Sequence, residues 1–186
     1  MHAFDLQRRR ALLGAFGALA TAAAPASRAA TAPGLHDLGP APEFAGIEQW
    51  LNSPPLTMTG LRGQVVLVDF WTYSCINCLR TLPAVNRWAA RYRAAGLVVV
   101  GVHTPEFAFE KSTANVQAAM RRFGVVHPVA QDNRYATWQA YANRYWPAHY
   151  LVDAQGRIRL RHFGEGDEER TEAAIQALLA ARRSTS

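Results

Sequence analysis

The stretch VVLVDFWTYSCINC, residues 65–78, joins a continuous apolar, β-branched run to two cysteines three positions apart. Only Asp69 interrupts the run Val65–Trp71, the pattern of a central strand buried on both faces. From Cys75 to Ala95 apolar residues recur at helical spacing and stop before Gly96, so the cysteines are expected where a buried strand ends and a helix begins. Cys75 and Cys78 are the only cysteines in the chain.

Four chemistries use such a pair. A structural disulfide across so short a loop would restrict the unfolded chain little. A structural zinc site needs four ligands, and no second cysteine pair supplies the other two. Covalent haem attachment needs histidine directly after the second cysteine, where this chain has Leu79. The redox reading meets its own demands. At a helix start Cys75 would face unpaired amides and the positive end of the helix dipole, which lowers a thiol pKa. Cys78, one turn on, falls on the same side within disulfide reach, as the more buried resolving thiol.

Further along, LVVVGVH (97–103) repeats the buried-strand pattern and, reached through a helix, should run parallel to the first strand. TPEFAFEK (104–111) suits a short helix with Thr104 as N-cap and Pro105 in its first turn. A second helix is expected over 114–123, ending at Gly124. HPVAQD (127–132) gives a short strand, and YATWQAYANRY (135–145) a helix started by Asp132 or Asn133. AHYLVD and RIRLRHF, joined by AQG, form a hairpin, and a last helix spans 168–182. The fold class is α/β, a central mixed β-sheet flanked by helices. At 186 residues and 49% hydrophobic composition the chain can bury one substantial core.

Residues 1–29 read differently. Arg8, Arg9 and Arg10 precede an uncharged apolar stretch over 11–24 and then small residues, the pattern of an export signal. That stretch is shorter than the roughly 20 residues a spanning helix needs, and the paired arginines resemble a twin-arginine signal. The expected organisation is an export signal over 1–29, a flexible lead-in over 30–43 and one domain over 44–183. The expected location is periplasmic or otherwise extracytoplasmic, in a bacterium. Beyond Ala29 the chain carries 16 basic and 13 acidic residues, a net charge of +3. The remaining arginines are scattered, which argues against a nucleic acid partner.

DFWTYSCINC, followed in order by GVHTPEF, YATWQAYANRYWPA and HFGEGD, closely resembles the extracytoplasmic thioredoxin-like domain of DipZ proteins, within the TlpA-like group of the thioredoxin fold. The resemblance covers about 44–167. It implies thiol–disulfide exchange with Cys75 as nucleophile and Cys78 as resolving cysteine, and no cofactor. It matches Asp69 to the buried acid beneath the cysteines, a proton acceptor for Cys78, and Pro83 to the proline that kinks the active-site helix. Trp146-Pro147 matches the pair at which this fold keeps a cis proline opposite the cysteines. Trp71, Trp146 and Pro147 are the candidate substrate-binding residues, the tryptophans weighed against ordinary core packing.

DipZ proteins carry this domain behind a membrane-spanning electron-transfer domain. No such segment is read in this chain, so a separate membrane electron donor is expected, with protein disulfides of the envelope as substrates and a monomer as the working form. The direction, reduction of substrate, rests on the resemblance.

Two alternatives compete. A peroxidase of the peroxiredoxin type is suggested by Thr72, three before Cys75. However, the proline expected four residues earlier is Val68, and no activating arginine can be assigned. A copper carrier of the Sco type would need three residues between its cysteines and a distant histidine; here there are two, and His103, His127 and His149 have no motif support. Glu106 and Glu110 share a helix face and read equally as a pair or as solvated helix acids. Arg80 reads as a surface residue, and Tyr73 and Tyr145 as packing.

Overall fold

The protein is described from a computed structural model over residues 35–184; the export signal expected over 1–29 lies outside the described residues. The elements are β1 (Gln49–Leu51), β2 (Val65–Trp71), α1 (Ile76–Tyr92), β3 (Leu97–His103), α2 (Thr113–Phe123), β4 (Val129–Gln131), α3 (Ala136–Ala140), β5 (Ala148–Val152), β6 (Ile158–Phe163) and α4 (Glu168–Arg183). One mixed sheet has the order β1-β4-β3-β2-β5-β6. β2, β3 and β4 run parallel, while β5, β6 and β1 pair antiparallel to their neighbours.

All seven residues of β2 are buried, because the sheet is covered on both faces. Side chains alternate along a strand, so Val65 and Leu67 pack with Val85 and Trp88 of α1 and Ile175 of α4. Val66, Val68 and Phe70 pack on the opposite face with Met58, Trp138 and Tyr150. Trp71 closes the first face, with Cys78 and Leu82 of α1. Asp69 lies between Leu67 and Trp71 and therefore faces α1. Each large apolar side chain buried this way contributes about 1.5–3 kcal/mol, which fixes the strand under the helix.

The registers give that face a polar row. Gly101 of β3 and His149 of β5 pair with Asp69 on either side, and His162 of β6 pairs with His149. Gly101 has no side chain where its neighbours crowd in: a Cβ there would lie 2.9 Å from Trp71 Nε1 and 3.3 Å from His127 Nε2.

Several expectations change in detail. The helix expected at 104 is a single 3₁₀ turn, Ala108–Lys111, capped by Phe107. Thr104 is no cap: it prolongs the line of β3, donating its amide to the Trp71 carbonyl (3.1 Å) and its hydroxyl to Asp132 (3.4 Å). α3 has only five residues. Asp132 does serve its start, accepting from the Thr137 and Trp138 amides at 3.2 and 2.8 Å. β1 was not expected, since three residues carry no readable period.

The lead-in over 30–43, expected to be flexible, is held from Leu35 onward. Leu35 is buried beside β6 and α4, and backbone bonds join Leu38 to Ile158, Ile158 to Gly39 and Ala41 to Gly156. Backbone pairing needs no side-chain period, and this segment covers an otherwise exposed sheet edge.

Candidate active site

Cys75 is the N-cap of α1, with extended backbone angles, and its sulfur accepts the Cys78 amide at 3.2 Å. The thiol is partly exposed, whereas Cys78 is fully buried. A hydrogen bond from the Cys78 thiol lowers the Cys75 pKa to about 7, helped by the Cys78 and Asn77 amides against burial and the charge of Glu106. Burial pushes Cys78 up, and the negative charges of Cys75 and Asp69 push the same way. Both thiols are free, so the structure is the dithiol state. The pair is asymmetric: one sulfur is ready to attack at neutral pH and the other must first lose a proton.

The loop before Cys75 rests on a buried acid. Glu110 is fully buried; its Oε1 accepts from the Ser74 hydroxyl (2.5 Å) and amide (3.3 Å), and its Oε2 from the Glu106 and Phe107 amides (2.5 and 2.9 Å). Burial alone would raise its pKa, but the Ser74 and Thr72 hydroxyls and these amides together hold it below the usual glutamate range. Tyr73 donates its hydroxyl to the Phe109 carbonyl at 3.0 Å and stacks on His103 at 5.6 Å. Burial lowers His103 to about 4, so the ring is neutral at pH 7; the Thr72 hydroxyl lies 3.3 Å from its Nε2. Sequence reasoning missed Glu110 as a loop anchor. Its signal was an acid three residues past Phe107, in the reach-back position of a capping box.

Asp69 is 1% exposed and close enough for its charge to oppose ionisation of Cys78. Its Oδ1 is 3.2 Å from His149 Nε2, although the two are not aligned as a hydrogen bond, and neither carboxylate oxygen has a hydrogen-bond partner among the described residues. Trp71, weighed between substrate surface and core packing, belongs to the core. It is 1% exposed, beneath the cysteines rather than beside them, because it shares the inward face of β2 with Asp69. Trp146 is half-buried and packs against the cluster that holds both cysteines; its indole donates to the Thr104 carbonyl at 3.0 Å and lies 4.1 Å from Trp138. The Trp146–Pro147 peptide is cis. Pro83 lies within α1, and Arg80 pairs with Glu165 at the surface. Ile76, directly after Cys75, is 60% exposed, and Phe107, Phe109 and Tyr145 are exposed as well.

The Thr72 hydroxyl, three before Cys75, lies 3.3 Å from His103 Nε2 and bonds the Glu110 carboxylate. Among the described residues, no three His, Cys, Asp or Glu side chains are placed to hold a metal ion, so His103, His127 and His149 form no copper set with the cysteines. No helix of the described residues is long and apolar enough to cross a membrane.

A dithiol at the junction of a central strand and a helix, with a cis proline in the chain leading into the neighbouring strand, defines a thioredoxin-like protein. The AhpC/TSA family model matches residues 39–161, and the chain belongs to that family. It is 52% identical over 148 residues to the protein DipZ of Mycobacterium bovis, covering 78% of this chain and 21% of DipZ. This chain thus spans about a fifth of the length of that relative. Over 141 residues it is 31% identical to the thiol-disulfide oxidoreductase YkuV of Bacillus subtilis, covering 76% of this chain and 95% of YkuV. Among solved structures, a thioredoxin-like protein in its oxidised form is 29% identical, with a TM-score of 0.70 over 76% of this chain and 95% of that one.

Proposed function

We propose that this protein is a thiol–disulfide oxidoreductase that reduces disulfides of envelope proteins outside the bacterial cytoplasm. The observation that carries the reading is the asymmetric pair: Cys75 with its pKa lowered to about 7 at the helix start, and Cys78 buried behind it with its pKa raised.

The Cys75 thiolate attacks a substrate disulfide and forms a mixed disulfide, releasing the first substrate thiol. Asp69 takes the Cys78 proton; the Cys78 thiolate attacks Cys75 Sγ and releases the second substrate thiol. Two electrons pass from the dithiol to the substrate, and a separate membrane donor returns them. Trp146 and Pro147 form the face against which an extended substrate lies. The export-signal pattern of 1–29 supports the location.

Two measurements on the protein lacking residues 1–29 test this. Cys78→Ala should trap envelope proteins on Cys75 as mixed disulfides, and the wild-type dithiol should titrate near the thioredoxin potential of about −270 mV. A potential near about −120 mV reverses the direction to oxidation. Failure to trap any protein, with faster oxidation by stoichiometric peroxide than by disulfides, removes the reading.

A further inference from the structure

The resolving thiol is the harder of the two to ionise, and it is sealed from solvent. Cys78 is 0% exposed and Asp69 1% exposed, so a proton passed to Asp69 must leave the interior before the next cycle. The polar row on the α1 face of the sheet leads outward from that point. His149 Nε2 lies 3.2 Å from Asp69 Oδ1. The His149 and His162 rings are 6.0 Å apart, within reach of one bridging water. His162 Nδ1 is 3.8 Å from Asp167 Oδ2, and Asp167 is an exposed carboxylate at the start of α4.

The atoms along this row lack protein partners. Both Asp69 oxygens, both His149 nitrogens and His162 Nε2 are buried without a hydrogen bond among the described residues. Buried polar atoms are almost always hydrogen-bonded, and where protein offers nothing, ordered water does so. Five such atoms in one line across three neighbouring strands are more than packing explains.

We propose that Asp69, His149 and His162 form a proton-conducting row that carries the Cys78 proton to solvent beside Asp167, at the outer strand β6. The inference rests on the oxidoreductase reading and deepens it. In the resolving step Cys78 Sγ–H gives its proton to Asp69. The thiolate electron pair then forms the Cys78–Cys75 bond, and the substrate sulfur leaves with the electrons of the broken bond and takes a proton from water. Asp69 passes its proton to His149, His149 releases one to His162, and His162 releases one to water. The row exchanges no electrons, and each member returns to its starting charge.

Every group that faces the row fits this direction. From α1 come Cys78 and Trp88; the Trp88 ring is 6.1 Å from His149 and its indole donates to Glu172 of α4 at 3.2 Å. β3 contributes Gly101, while His103 turns to Thr72 and Tyr73. Before β4, His127 feels the Asp69 charge from the other side. His162 is kept neutral near pH 7 by burial and by its neighbour His149, against the pull of Asp167, as a group that both takes and gives a proton must be.

The test is single-turnover reaction of the reduced protein with glutathione disulfide, quenched in acid and read by mass spectrometry, with wild type, His149→Gln, His162→Gln and His127→Phe compared from pH 5.5 to 8.5. Formation of the Cys75–glutathione adduct should be unchanged in both row variants. Its resolution at pH 6.5 should slow about tenfold, because general-base catalysis contributes roughly 10²–10⁴-fold and water at the row's outer end replaces part of it. The deficit should shrink as pH rises. His162→Gln carries the test alone if His149→Gln misfolds, since His162 borders solvent. Wild-type resolution and pH profile in His162→Gln overturn the row, as does slow resolution in His127→Phe alone. A wild type that forms no adduct and no internal disulfide overturns the oxidoreductase reading instead.

Discussion

Cys75 combines an extended N-cap conformation with two amides and a thiol aimed at its sulfur, so its charge is stabilised before any substrate arrives. Its alkylation rate should therefore rise with a midpoint near pH 7, below the free-thiol value of about 8.5. Cys78 should stay unmodified until the protein unfolds; mass spectrometry after timed iodoacetamide labelling reads both. Glu110 is the second residue on which the site depends. Glu110→Gln keeps the shape but turns one acceptor oxygen into a donor facing backbone amides or Ser74, and should destabilise the fold by about 1–3 kcal/mol in urea unfolding. The cysteines were legible because spacing and the absence of other ligands leave one chemistry. Glu110 was not, since an acid near the start of a short turn has the same sequence pattern whether solvated or buried. Trp71 stayed open between core and substrate surface because sequence proximity to Cys75 does not say on which side of the strand the ring lies; its 1% exposure puts it in the core.

Among the elements, β2 and β3 were readable because burial on both faces leaves nearly unbroken apolar runs. β1 and the paired segment 35–41 were not, for they are held by backbone bonds to β4 and β6 that any side chain would allow. α3 shows why length is hard to read. YATWQAYANRY has helical spacing throughout, but the turn ends after Ala140, and the Ala142 and Asn143 amides close back on Gln139 and Trp138. What starts it is Asp132, whose carboxylate holds two α3 amides and the Thr104 hydroxyl. Asp132→Ala should cost about 2 kcal/mol, the upper range for a lost cap. Because α3 carries Trp138, against which Trp146 packs, the same variant should slow exchange with protein disulfides more than with glutathione disulfide.

At the scale of the whole molecule, buried neutral histidines tie stability to pH. Burial depresses both His103 and His127 to about 4. The unfolded chain protonates them near 6.5, so it binds more protons than the native state below that value. Stability should then fall as pH drops from 6.5 toward 4, by roughly 3 kcal/mol for each ring. Glu110, with its lowered pKa, adds a loss at still lower pH as the native carboxyl is protonated. Asp132 opposes both, because burial raises its native pKa and protonation there favours the folded state. Urea midpoints at pH 7, 5.5 and 4.5 should show the decline, and His103→Asn should roughly halve it across the whole window, since His127 contributes the same slope.

Gly101 draws these scales together. A residue that looks like a gap in a strand of valines is the place where a methyl group would press on the Trp71 indole and the His127 ring at once. Neither neighbour has slack, because both lie in the packed layer under α1. Mutational tolerance in the sheet should therefore run opposite to side-chain size: Val98, larger and partly exposed, accepts replacement, while position 101 rejects even alanine. In a saturation library sorted for folded protein, glycine alone should survive at 101, so the freedom of this lineage to vary is narrowest where its sequence holds the least matter.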